Sequence, residues 1–304
     1  MRRGIPRSPV RSASRTDSSR GDLRPIRRSR FESFRPALSY LALAAFAVFS
    51  LYPITQIITI ALRPSDQLLS TSLALIPKGA TLDNFRILLT QTPFLRWVFN
   101  SSLIALAVTL TGVALASTSG YALSRFRFLG RSTMLNGLLV TQMFPATMLL
   151  LPLYLILIRL HLINSYLGVI IIYAATALPF CIWQLKGYYD TISLSLEEAA
   201  GIDGCSRWQS FYLIVFPLAA PALVITALFS FMTAWNEYVV AALVLQDVDI
   251  FTLPVGLKMF QANMGTQWGL YAAGALLVSV PVVLLFLVLS RYLVSGLSSG
   301  AVKG

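Results

Sequence analysis

Glu198-Ala199-Ala200-Gly201-Ile202-Asp203-Gly204, then nine residues, then Ile214-Val215-Phe216-Pro217: this stretch lies between two long apolar runs. Its polar content predicts a short helix-turn-helix that faces an aqueous partner. Ser195 and Glu198 have the spacing of a capping box, in which the serine oxygen accepts from the N–H three residues on and the glutamate reaches back. That spacing predicts a helix from near Leu196. Gly204 then ends it, because glycine takes the left-handed conformation beyond a helix without a Cβ clash. Ser206 and Gln209 repeat the box and predict a second helix from Arg207. Ala199 and Ala200 are short enough to let another protein's backbone come close, while Glu197, Glu198 and Asp203 keep the elbow soluble. The local pattern by itself fits a generic amphipathic connector between spans equally well.

The chain is 56% hydrophobic and 12% charged, with a mean hydropathy of +0.72. A soluble domain is typically about 25% charged, so this composition belongs in a membrane. Runs long enough to cross about 30 Å of hydrocarbon, roughly 20 residues each as helix, occur near 38–61, 98–123, 134–158, 166–185, 211–245 and 270–292. These predict an all-α, polytopic protein of six transmembrane helices, and no connection is large enough for a catalytic domain.

Cytoplasmic connections carry the excess of Lys and Arg. The first 36 residues hold 11 arginines against Asp17, Asp22 and Glu32, which predicts a cytoplasmic N-terminus. An even span count then returns the C-terminus to the same side, together with Arg125, Arg127, Arg131, Lys186 and Arg207. Without the tail the contrast is weak, since Arg63, Lys78, Arg86, Arg96, Arg159 and Lys258 fall outside.

The predicted organisation is a disordered basic tail at 1–36, a six-span transmembrane domain at 37–294 with its elbow at 189–210, and a cytoplasmic tail at 295–304. The N-terminal tail lacks apolar periodicity and interleaved aromatics, so anionic lipid headgroups suit it and nucleic acid does not. Arg27-Arg28 loosely resembles a twin-arginine signal. The apolar stretch after it is too long for a signal h-region and lacks a clear cleavage site, so it is read as a retained span.

Cys181 and Cys205 lie in different environments, which argues against a disulfide, and the lone His161 is an interfacial residue rather than a metal ligand. Pro145, Pro152, Pro179, Pro217, Pro221 and Pro281 each remove a helical hydrogen bond, so kinks are expected around a central pathway. Ordinary membrane proline usage is an equal alternative. The run 211–245 is too long for one straight crossing and holds Trp235-Asn236-Glu237-Tyr238 in its later part, so it must break or bend. A glutamate at membrane depth faces protein or a water-filled cavity, which makes these four residues candidates for a cavity or gate. The alternative is a glutamate snorkelling at the interface.

The full spacing from Glu198 to Pro217 resembles the EAA loop, Glu-Ala-Ala-x3-Gly-x9-Ile-x-Leu-Pro, of bacterial ATP-binding-cassette (ABC) importer permeases, with Phe216 in place of the usual Leu. Thr81-Leu82-Asp83-Asn84-Phe85, the Trp-Asn-Glu-Tyr block and the ending Arg291-Tyr292-Leu293-Val294-Ser295-Gly296-Leu297 with Gly300-Ala301-Val302-Lys303-Gly304 are similar to the second, six-span permease of maltose-type importers. The long basic tail and Phe216 depart from that pattern.

The resemblance implies alternating-access import of maltose, maltodextrin or another di- or oligosaccharide across the bacterial inner membrane. Its implied partners are a sibling permease, two ATPase subunits that carry ATP and Mg, and an extracytoplasmic solute-binding protein. It further implies that Glu198, Ala199, Ala200, Asp203, Gly204 and Pro217 couple to the ATPase and that the tail with Lys303 touches it. The chain itself binds no cofactor or metal on this reading, and no phosphate-cradling Gly-x4-Gly-Lys or hydrolase motif makes it an enzyme. An ABC permease for a polyamine, phosphate or amino acid would use the same elbow, and a polytopic membrane enzyme is the rival from another class.

Overall fold

The computed structural model describes residues 30–64, 76–261 and 265–301, with side chains described for 38–64, 76–145, 148–261 and 265–290. The basic segment 1–29 and Lys303 lie outside the described residues, and so do the side chains from Arg291 onward. The chain divides between Tyr52 and Pro53 into two compact units. The described part of the first is helical, with every side chain from Leu38 to Tyr52 exposed. No strand occurs among the described residues.

Among the described residues, four helices are long and apolar enough to cross a membrane: Leu38–Ala61, Phe94–Arg125, Tyr166–Thr191 and Trp268–Ser290. They belong to α1 (Arg30–Ala61), α3 (Phe94–Arg125), α6 (Tyr166–Thr191) and α13 (Trp268–Ala301). α2 (Asp83–Gln91) precedes α3. Pro179 and Pro281 sit inside continuous helices.

The other two apolar runs are not single rods. In the third, α4 (Arg131–Met143) ends at an extended Phe144, one 3-10 turn follows at Ala146–Leu149, and α5 (Leu150–Arg159) resumes. The break falls before Pro145, whose ring disfavours a helical conformation in the preceding residue. Pro152 falls in the first turn of α5, where its missing N–H has no intrahelical partner to lose. α8 (Arg207–Ser210) leads into the fifth run, 211–245, which comprises a π-helical turn at Phe211–Val215, α9 (Phe216–Leu218), α10 (Ala220–Asn236) and, after a distal break at Glu237-Tyr238, a short helix at Val239–Val244. The stretches Arg207–Leu218 and Ala220–Asn236 meet at Ala219 with a bend of 79°. Among the described residues, four of the six apolar runs thus appear as continuous helices, the fifth as a bent helix pair, and the third as two shorter helices joined by a 3-10 turn.

α3 packs against α6 and α10 at the centre of the second unit. Small residues allow the approach. A Cβ on Gly112 would lie 2.7 Å from Ser230 Oγ, and one on Gly120 would lie 3.1 Å from the backbone N of Lys186. Side chains collect into two cores along this bundle. One contains Tyr121, Cys181, Leu185, Tyr189, Phe211 and Val215. The other contains Trp97, Ile104, Tyr173, Trp235, Val240 and Leu253. The first lies by the elbow, so we call that the elbow end and the other the distal end.

At the distal end the start of α3 holds residues 248–258. Trp97 Nε1 donates to the Val248 carbonyl at 2.9 Å. Asn100, 1% exposed, donates to the carbonyls of Asp249 and Phe251, both at 2.9 Å, and accepts from the Tyr166 hydroxyl at 2.8 Å. Leu253 N donates to Ser101 Oγ at 2.7 Å. These bonds satisfy carbonyls of the 3-10 turn at Val248–Ile250 and of Phe251, and the first N–H of α12 (Leu253–Lys258); a buried polar group left alone costs about 1–3 kcal/mol. Asn84 works similarly at the start of α2, donating to the carbonyls of Ala61 and Arg63 at 2.9 and 3.0 Å.

Candidate functional site

The elbow follows directly from the end of α6. Ser193, not Ser195, caps the next helix: its Oγ accepts from Ser195 N at 3.3 Å, and α7 (Leu194–Ile202) begins two residues before the predicted start. The Ser195–Glu198 box therefore does not form. Extended Ile192 leaves the turn one residue after α6, and the serine nearest that turn takes the cap.

The helix ends as the glycine requires. Cys205 N donates to the Ala200 carbonyl at 2.9 Å and Gly204 N to the Gly201 carbonyl at 3.1 Å, the paired bonds of a Schellman motif. Gly204 has φ +89°. Ser206 then caps α8 in the predicted box: Gln209 N donates to Ser206 Oγ at 3.3 Å, and Ser206 N donates to Gln209 Oε1 at 2.7 Å.

The six residues assigned to coupling separate by face. Glu198, Ala199, Asp203, Gly204 and Pro217 are exposed, whereas Ala200 is buried. Ile202, 88% exposed, joins the outer face.

The inner face carries groups that sequence reasoning passed over. Arg125 Nε donates to Glu197 Oε1 at 2.5 Å, and the two side chains are only 4% and 12% exposed. Tyr121 donates its hydroxyl to Glu197 Oε2 at 2.7 Å, and Arg125 Nη2 donates to the Ile192 carbonyl at 3.0 Å. Beside this pair, Ser124 donates to Asp190 Oδ1 at 2.6 Å, and Lys186 pairs with the same carboxylate at 2.6 Å. Glu197 is thus a structural acid, not a solubilising one. Removing one partner of a buried pair strands a charge, at about 3–5 kcal/mol.

The signal available in the sequence was Arg125 at the end of an apolar run with Tyr121 one turn before it, which puts both on one helix face. A cavity of about 310 Å³ lies between α7 and α8, with Arg125, Glu197, Glu198, Cys205 and Arg207 on its walls.

Aromatic rings fill the base of the elbow. Tyr121, Tyr189 and Phe211 meet at ring-centroid distances of 4.7–6.4 Å. Phe216 lies 5.9 Å from Phe211 and 6.2 Å from Tyr212, so a phenyl ring at this position extends the cluster. Arg207 stacks over Phe126 at 5.5 Å.

At the distal break the four-residue block divides. Trp235 is 1% exposed, stacks on Phe231 at 5.3 Å and donates to the Val278 carbonyl at 3.3 Å. It buttresses α10 against α13. Asn236 and Tyr238 are exposed, and Glu237 is half-buried. The Glu237 carboxylate accepts from Val240 N at 2.9 Å, Ala241 N at 3.1 Å and the Tyr173 hydroxyl at 2.6 Å. It satisfies free N–H groups at the start of α11 (Val239–Val244), the kind of group every helix N-terminus exposes. Val239, Ala242 and Leu243 face Leu150, Leu151 and Tyr154 across an apolar cleft of about 380 Å³.

A family model described as "Binding-protein-dependent transport system inner membrane component" matches residues 109–299. The chain belongs to that family. The match runs from within α3 through the elbow and the distal break into α13, so it contains both sites. Among this permease family's characterised members, the maltose/maltodextrin transport system permease protein MalG of Salmonella typhimurium is 37% identical over 292 residues, 90% of this chain and 97% of that protein. MalG of Escherichia coli K12 is 36% identical over 286 residues, 88% and 95% respectively. Among solved structures, a bacterial ABC transporter involved in the import of the acidic polysaccharide alginate superposes with a TM-score of 0.76 at 25% identity, covering 87% of this chain and 98% of that one. The chain is therefore a multi-pass transport subunit of this ABC permease class.

Proposed function

We propose that this chain is one permease of a heterodimeric, binding-protein-dependent ABC importer for a di- or oligosaccharide, with maltodextrins first among them. The observation that carries the reading is the elbow: an exposed α7–Gly204–α8 surface mounted on a rigid inner face, in a chain that shares 36–37% identity with MalG over about nine-tenths of its length. On this reading the elbow end and both termini are cytoplasmic. Glu198, Ala199, Asp203 and Gly204 dock on an ATPase subunit, with Ala200 and Pro217 shaping the surface from within and behind. Two ATPase subunits hold the ATP and Mg, and an extracytoplasmic binding protein delivers the sugar to the distal end.

ATPase closure pushes α7, the spans reorient, and hydrolysis resets them. Asn236, Glu237 and Tyr238 border the path at the distal break, with Trp235 behind them. The segment ending in Lys303 contacts the ATPase pair, and the basic N-terminal segment binds anionic lipid.

The test is purification with the sibling permease, ATPase and binding protein, followed by ATP hydrolysis across a panel of maltose, maltotriose, longer maltodextrins and alginate oligosaccharides. Stimulation by maltodextrins supports the reading. Stimulation by an acidic oligosaccharide alone moves the substrate to that class, and stimulation by no sugar refutes it.

A further inference from the structure

α3 is one unbroken helix of 32 residues without proline, about 48 Å long at 1.5 Å per residue. Side chains fasten it at both ends to parts of the chain that are remote in sequence. At the elbow end Arg125 and Tyr121 grip Glu197, which lies on α7. At the distal end Trp97, Asn100 and Ser101 grip the backbone between Val248 and Leu253. Between the two grips Gly112 and Gly120 set the helix tightly against α10 and α6.

The elbow-end grip is directional. The Arg125 guanidinium uses separate nitrogens for Glu197, the Ile192 carbonyl and Ser124 Oγ, and a planar fork with several fixed bonds allows one orientation where a lysine ammonium allows many. The ion pair itself is nearly closed to solvent.

We propose that Arg125 and Glu197, held by Tyr121, are positioning residues that make α7 a rigid extension of α3. Displacement of the elbow then travels along α3 to the 248–258 segment at the opposite end. The proposal rests on the importer reading above. A pivoting α7 absorbs the push, whereas a locked one delivers it.

The complex with its sibling permease, ATPase pair and binding protein, reconstituted in vesicles, tests this through the ATP hydrolysed per sugar imported. In Glu197→Gln and Arg125→Lys the complex assembles and hydrolyses ATP, and the ratio rises roughly fivefold or more, the lower range of a site-to-site coupling. The double variant is no worse than the worse single one, since both break one joint. Tyr121→Phe, which keeps the ring, shows a smaller rise. An unchanged ratio in Glu197→Gln and Tyr121→Phe overturns the proposal, as does a double variant whose rise is the product of the single ones. Hydrolysis, uptake and complex yield falling in parallel indicate a merely structural pair and overturn it too.

Absence of any sugar-stimulated hydrolysis in the unmodified complex counts against the importer reading instead. The joint is then read directly with a nitroxide at Ala199, Cys181 and Cys205 having been replaced. Glu197→Gln must loosen that label while leaving one at Thr118 unchanged, and equal mobility at Ala199 overturns the proposal.

Discussion

Glu237 provides the sharpest quantitative test, because its carboxylate has three named donors. Oε1 accepts from Val240 N, while Oε2 accepts from Ala241 N and the Tyr173 hydroxyl. Glu237→Gln keeps the shape but turns one acceptor into a donor. With the amide oxygen in the Oε2 position, its NH2 faces Val240 N, donor against donor. Flipped, it faces Ala241 N, and only the tyrosine hydroxyl can rotate to accept. Either way one N–H of α11 is orphaned, at about 1–3 kcal/mol. Glu237→Leu orphans both N–H groups and the phenol, for a loss of about 3–9 kcal/mol by the same measure.

Thermal unfolding of the purified complex in detergent converts these losses into temperatures. At roughly 2–4 °C per kcal/mol, Gln lowers the midpoint by about 2–12 °C, and Leu lowers it further with reduced yield. A Leu variant that melts within a degree of the parent refutes the capping role and leaves Glu237 a free acid on the path.

Gly204→Ala isolates backbone strain, since φ is +89° and no atom lies within 4 Å of the new Cβ; the elbow loses about 1–2 kcal/mol, read as faster amide exchange at 199–206 with expression unchanged. Gly204→Asp adds charge to the same strain and should lower ATPase co-purification further. Gly256→Ala places a Cβ 2.2 Å from Trp97 Cδ2, and because that indole is fixed by its bond to Val248, overpacking of about 1–3 kcal/mol or more follows, seen as a lower melting midpoint. Glu198→Gln should leave the melting midpoint unchanged while weakening ATPase association, because Glu198 is exposed.

Local signals made the architecture legible. Runs of apolar residues marked the spans, Pro145 and Pro217 lay where the third and fifth runs break or bend, and Ser206, Gln209 and Gly204 specified their turns through bonds to neighbours within five residues. The misplaced start of α7 shows the limit of such reasoning: two serines, Ser193 and Ser195, offer caps, and the choice depends on where α6 stops. The partners of Glu197 and Glu237 were out of reach for a different reason. Tyr121 and Arg125 are more than 70 residues from Glu197, and Tyr173 is 64 from Glu237. Such pairings depend on how α3 and α6 pack, which hydrophobic periodicity does not specify.

The acidic residues show what that packing decides. Sequence reading gives Glu197 and Glu198 to the solubility of the elbow, Glu198 also to coupling, and Glu237 to a cavity or gate. In the folded chain Glu197 is closed under Arg125 and Tyr121, and Glu237 is largely committed to the start of α11. Both carboxylates are already engaged by groups of this chain. Glu198 and Asp203 are exposed on the outer face of the elbow and carry no such commitment. On the proposed importer reading, a partner that reads negative charge at this surface meets it at Glu198 and Asp203, on a helix whose other face is anchored. The exposed acid and the closed one are adjacent in sequence, and about 100° of helical rotation between successive residues is enough to separate their surroundings.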